Sequence, residues 1–117
     1  MRPWPTALTF DSKAHALHIA FDDGAAFDIP FELLRVESPS AENKGHGGAK
    51  PPPVTGKQNV GVTRAEPVGR YAVRIVFDDG HDTGLYAWSY LQTLDQEREK
   101  RWAEYLSSLA VKGLSRG

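Results

Sequence analysis

Two acidic pairs, Asp22 with Asp23 and Asp78 with Asp79, sit in near-identical settings, "HIAFDDG" (18–24) and "RIVFDDG" (74–80). Adjacent carboxylates can hold a hard cation through oxygen. No further oxygen donors follow at the spacing of a calcium loop, however, and Asp-Gly between alternating runs is a hairpin signal. The pairs therefore read as two solvated turns; a paired-carboxylate hydrolase would need the two hairpins to face each other.

The four histidines divide by position. His15 and His18 lie in or beside a strand, and a spacing of three puts them on opposite faces, against a shared metal. His46 stands in "GHGG", four residues after Glu42, and His81 follows only the second Asp-Asp-Gly. Glu42, His46 and His81 have the donor types of a zinc or iron site, although a loop histidine is more often simply solvated. Ser38 and Ser40 have no recognisable hydrolase context, which argues against a nucleophile.

The segment "GHGGAKPPPVTGKQ" lacks the glycine-lysine order of a phosphate-cradling loop, so no nucleotide site is expected. Lys44, Lys50, Lys57, Arg64 and Arg70 make the middle of the chain locally basic, a pattern that suits an anionic partner or a solvated loop. The aromatic residues Trp88, Tyr90, Trp102 and Tyr105 recur at helical spacing and are expected in the core.

These residues must be positioned by a repeated unit. "ALHIAFDDGAAFDIPFELLR" (16–35) aligns with "AVRIVFDDGHDTGLYAWSYLQ" (72–92), with one extra residue after the second turn. Leu17, Ile19 and Phe21, and likewise Val73, Ile75 and Phe77, alternate as the buried face of a strand. Return strands are predicted at Phe27–Ile29 and Thr83–Tyr86, each followed by a helical turn, with Pro30 in the first turn of one. "ALTF" (7–10) predicts one more strand, paired with 16–21. A C-terminal helix over 93–112 is predicted from Thr93 and Gln96 as a capping box, from Trp102, Tyr105, Leu106 and Leu109 on one face, and from Gly113 as its stop. Residues 38–59 are rich in glycine and proline and predict a long loop, a place to look for function. The expected fold is α+β: a small, mainly antiparallel sheet built from two strand-turn-strand-helical-turn units in a single domain, 1–117, with the C-terminal helix packed on it.

Composition narrows the function classes. The chain has 117 residues, a formal net charge of −1 and no cysteine. That excludes disulfides, thiolate metal ligands and cysteine nucleophiles, and it provides no global basic field for nucleic acid. With no apolar run near the roughly 20 residues that cross a bilayer and no secretion signal at its start, a cytoplasmic location is expected.

"LRVESPSAENKGHG" and "AEPVGRYAVRIVFDDGHDTGLYAWSYL" resemble the DUF971 family, also called gamma-butyrobetaine hydroxylase-like N-terminal, over about residues 7 to 94. The resemblance implies an accessory module. Such domains occur alone in bacteria, in front of gamma-butyrobetaine and trimethyllysine dioxygenases, and behind some P-loop ATPases that carry iron–sulfur clusters. In the hydroxylases the resemblance implies a structural zinc on three cysteines and one histidine, positions that fall here on Ser38, Ser40, Asn43 and His81. Three of those four ligands are missing. Ser38, Ser40, Glu42, His46 and His81, with Asp79, then form either a rebuilt site for a harder metal or a hydrogen-bonded fastening of the loop without metal, and the second is preferred. The dioxygenase facial triad is absent from "HDT" and "HIA", so no oxygenase activity carries over.

The leading expectation is a non-catalytic binding module serving iron–sulfur or other metal-dependent proteins. Ser38, Ser40, Asn43, Lys44 and Lys50 would face a protein partner beside the His81 turn. The alternatives are a metal-binding domain or metal-dependent enzyme using zinc or iron at Glu42, His46 and His81, and a structural domain that oligomerises through a sheet edge.

Overall fold

A computed structural model describes residues 4–39 and 55–116. The sequence repeat is a structural duplication. In the first unit β1 (Pro5–Asp11), β2 (Ala16–Phe21) and β3 (Ala26–Pro30) form an antiparallel sheet and lead into α1 (Phe31–Val36). In the second, β4 (Val62–Val68), β5 (Ala72–Phe77) and β6 (Leu85–Ala87) do the same and lead into α2 (Trp88–Gln96). α3 (Arg98–Lys112) closes the order. The α+β class and the repeated unit are those expected, with the strands divided into two three-stranded sheets, one per unit.

The duplication extends to single hydrogen bonds. The Phe31 N–H donates to His15 O at 2.8 Å and the Trp88 N–H to Tyr71 O at 3.0 Å, so each unit's helix starts on the tip of its own hairpin. Both outer strands also slip register near their start, between Pro5 and Ala7 and between Val62 and Arg64. Gly24 (φ 90°) and Gly80 (φ 91°) take the positive φ that closes each Asp-Asp-Gly turn, a conformation costly for residues with a Cβ.

The alternation seen in the sequence is the buried face. Leu17, Ile19, Phe21 and Ile29 from one sheet meet Val73, Ile75, Phe77 and Tyr86 from the other, with Phe31, Leu33, Leu34, Leu91 and Leu94 of the helices in the same cluster. Full burial of each such aliphatic or aromatic side chain is worth about 1.5–3 kcal/mol.

Several boundaries differ from expectation, among them the second return strand, predicted from Thr83 and observed from Leu85. β4 falls in a stretch with no strand predicted, because Pro67 breaks its pattern; the order β4-β5-β6 places it at an edge, where proline costs least. The helix predicted over 93–112 is two helices. Thr93 and Gln96 belong to α2, where the Thr93 hydroxyl donates back to Ser89 O at 3.1 Å, and α3 begins after Glu97 without a side-chain cap. Pro30 stands one place earlier than expected, as the N-cap of α1. Gly113 ends α3 in the left-handed region as predicted, at φ 67°.

Candidate functional site

The second turn is the first one with a histidine added. In both, the Asp two residues earlier accepts the backbone N–H of the residue after the glycine: Asp23 from Ala25 at 2.9 Å, Asp79 from His81 at 3.1 Å. Ala25 offers only a methyl group, packed against the apolar cluster. His81 reaches Ser38 instead, where Nε2 and the Oγ lie 2.8 Å apart. Ser38 sits just past the end of α1, which is how residues far apart in sequence meet.

Asp79 has a second task. Its Oδ2 accepts Arg35 Nε at 2.8 Å and pairs with Lys57 Nζ at 2.6 Å. Burial pushes the Asp79 carboxyl up, but hydrogen bonds from Lys57, the His81 N–H and Arg35 outweigh it and hold its pKa at about 2. One turn thus holds residues on both sides of the 40–54 segment: Arg35 and Ser38 before it, Lys57 after it.

A Ser–His pair at this distance has the geometry of a nucleophile and its base. Its surroundings do not suit that use. Ser38 is 4% and His81 6% exposed, and a methyl group added at Gly84 would stand 2.4 Å from the Ser38 Oγ. The backbone of Gly84 leaves no room there for a reacting carbonyl. Asp79 accepts from the His81 main chain, which fixes the turn. The arrangement fastens Ser38 to the turn.

Of the residues singled out in the sequence, Ser38, Asp79 and His81 come together. Ser40, Glu42, Asn43, Lys44, His46 and Lys50 lie outside the described residues. Among the described residues no group of three or more His, Cys, Asp or Glu is arranged to hold a metal ion. His18 lies between Asp28 (Nδ1, 2.6 Å) and Asp11 (Nε2, 3.1 Å), and hydrogen bonds to Asp28 and then Asp11 raise its pKa. His15 is exposed, with Nδ1 3.3 Å from Val60 O. The helical aromatics pack as expected: Tyr105 is buried and Trp88, Tyr90 and Trp102 half-buried, and the Tyr90 and Tyr105 hydroxyls donate to Glu37 O and the Glu32 carboxylate.

Two sets were missed in the sequence. Arg35 and Lys57 converge on Asp79 from distant segments, a pairing with no local signal, since Lys57 reads in the sequence only as part of a basic stretch. Glu32 is buried, 6% exposed, and accepts both Arg116 and Tyr105. Its signal was present: a carboxylate inside "FELL" rides on a helix face made of core residues and requires a partner.

Residues 8–92 match the family described as gamma-butyrobetaine hydroxylase-like, N-terminal. The chain belongs to that family. Solved structures agree with the assignment. An NMR solution structure of a protein 47% identical superposes with a TM-score of 0.84, over 98% of this chain and 86% of its own. A second NMR solution structure, 42% identical, gives 0.80 over 99% and 91%. The crystal structure of a protein of unknown function from Acidithiobacillus ferrooxidans ATCC 23270, belonging to the DUF971 family, is 37% identical with a TM-score of 0.66 over 78% and 91%. No curated protein matches the chain. No helix among the described residues is long and apolar enough to cross a membrane.

The zinc site that the resemblance to the hydroxylases implies does not fit these residues. The positions that the resemblance gives to its three thiolates carry Ser38, Ser40 and Asn43, neutral side chains that cannot replace thiolates around zinc. The remaining ligand position, His81, directs Nε2 at the Ser38 hydroxyl.

Proposed function

We propose that the chain is a non-catalytic binding module that presents its 38–59 segment and the Asp79–His81 turn to a protein partner, in the setting of iron–sulfur or other metal-dependent proteins. The observation that carries this reading is the double fastening of one turn. Ser38 is hydrogen-bonded to His81, and Lys57 is ion-paired to Asp79, so both sides of the long segment start from one shared base. Preorganising the ends of a recognition segment lowers the entropy lost on binding. Its polar and basic residues, Ser40, Asn43, Lys44 and Lys50, provide the contact chemistry, and the setting is drawn from the family resemblance.

A photo-crosslinking residue placed at position 44 or 50 in the native cell tests this. A discrete adduct with another protein, weakened when Asp79→Asn unfastens the base, is the expected result. Absence of any adduct at both positions, with the protein expressed and folded, overturns the reading. If Zn²⁺ or Fe²⁺ at one equivalent instead moves the His81 and His46 ring resonances together, a metal site built with Glu42 replaces it.

A further inference from the structure

The turn that fastens the 38–59 segment is connected to the far end of the described chain. Gly113, in the left-handed conformation, reverses the backbone after α3, and Leu114 N–H returns to Leu109 O at 2.8 Å. Residues 114–116 then run against 56–58: the Gln58 N–H donates to Arg116 O at 2.9 Å and the Gly56 N–H to Ser115 O at 3.4 Å. Lys57, the residue between those two donors, is the one that reaches Asp79.

The Arg116 side chain anchors this strap. Arg116 grips the buried Glu32 with two nitrogens, Nε to Oε2 at 3.0 Å and Nη2 to Oε1 at 2.8 Å, while its guanidinium lies 5.1 Å from the centre of the Trp102 ring. Tyr105 donates to the same Glu32 at 2.8 Å, which ties α3 to α1 at that carboxylate. The Arg116 side chain is still 38% exposed, so a competing carboxylate can approach it from solvent. Arg116 also stands beyond the family-matched residues 8–92.

We propose that residues 114–116 form a releasable strap: with Arg116 clasped to Glu32 they hold 56–58 so that Lys57 engages Asp79, and with Arg116 drawn away by a partner's acidic group Lys57 leaves the turn. The coupling is reciprocal, since whatever strengthens the Lys57 contact also strengthens the strap. It rests on the proposed function only for its consequence, that the strap's state changes the base from which the 38–59 segment is presented. The contacts themselves exist in the free chain.

The test therefore uses the full chain without a partner, and its outcome is independent of any crosslinking result. Arg116→Ala is compared with wild type by NMR, reading amide hydrogen exchange at Gly56 and Gln58 and the Lys57 side-chain ammonium signal. Faster exchange at both amides, by about tenfold or more, together with loss of the slowed, ion-paired Lys57 ammonium signal, is expected; Arg116→Lys, which keeps the charge but loses the two-nitrogen grip, should fall between. Should Arg116→Ala not fold, Glu32→Gln removes the same clasp with its shape retained. Amides protected as in wild type, or a Lys57 signal unchanged while both amides open, would overturn the proposal.

Discussion

The Oγ of Ser38 lies 2.8 Å from Nε2 of His81, although the two residues are 43 positions apart and belong to different halves of the duplication. Both are buried, so the pair works in a low-dielectric setting where a lost hydrogen bond is costly. Ser38→Ala is expected to lower stability by about 1–2 kcal/mol, measured by urea denaturation. A double-mutant cycle with His81→Ala should return a coupling of at least about 0.5 kcal/mol; strict additivity would show that the pair is not a fastening.

Gly84 tests the same place from the opposite wall. An added Cβ would stand 2.4 Å from Ser38 Oγ and 3.0 Å from a carbon of the Tyr86 ring. Gly84→Ala should cost about 1–3 kcal/mol. Combining it with Ser38→Ala removes the nearer clash, so the double variant should be more stable than the sum of the two losses.

Asp79 makes stability depend on acid. Its folded pKa of about 2 lies below the ordinary value of 3.8, so the unfolded chain binds the proton more readily. The stabilisation is fully present above pH 3.8 and is lost as pH falls through about 2. Asp79→Asn should therefore be less stable than wild type at neutral pH, with the gap closing below pH 4. A gap independent of pH would remove the ion-paired carboxylate as its cause.

His18 responds in the opposite sense. Hydrogen bonds to Asp28 and Asp11 favour its imidazolium, raising the pKa above 6.5. Its contribution is fully present below pH 6.5 and is lost as pH rises through the raised value. An NMR titration of the ring should show His18 protonated at a pH where a free histidine is neutral, and Asp28→Asn should bring its midpoint down.

Zinc addition probes the mismatch at the metal positions that the resemblance to the hydroxylases implies. With serine and asparagine in place of thiolates, one equivalent of Zn²⁺ should leave the Ser38 and His81 resonances unchanged, and a chelator should leave the melting temperature where it was. A stoichiometric shift of His81 that is reversed by the chelator would contradict this.

The hairpin units were legible because their signals are local. Leu17, Ile19 and Phe21 alternate, the Asp-Asp-Gly turn follows, and the same order returns at Val73, Ile75 and Phe77. β4 was hidden because Pro67 and the neighbouring Gly61 and Gly69 read as loop, whereas pairing with β5 makes a strand of residues 62–68. The break between α2 and α3 has neither glycine nor proline. There Arg101 joins Glu97 on its own turn to Glu37 beyond α1, a restraint from outside the helix.

The sequence by itself determined the duplicated strand-turn unit, the placement of two aspartates at each turn, the C-terminal stop at Gly113 and, through the absence of cysteine, the exclusion of thiolate metal ligands. These depend on side-chain period, backbone freedom and residue type, all readable over a few positions. Only the tertiary structure decided that Asp79 would pair with Arg35 and Lys57, that His81 would meet Ser38, and that Arg116 would close on Glu32. Those partners are 22 to 84 positions apart. Their meeting follows from packing the sheets and helices of the described residues around one apolar cluster, and no local pattern encodes which charges that packing brings together.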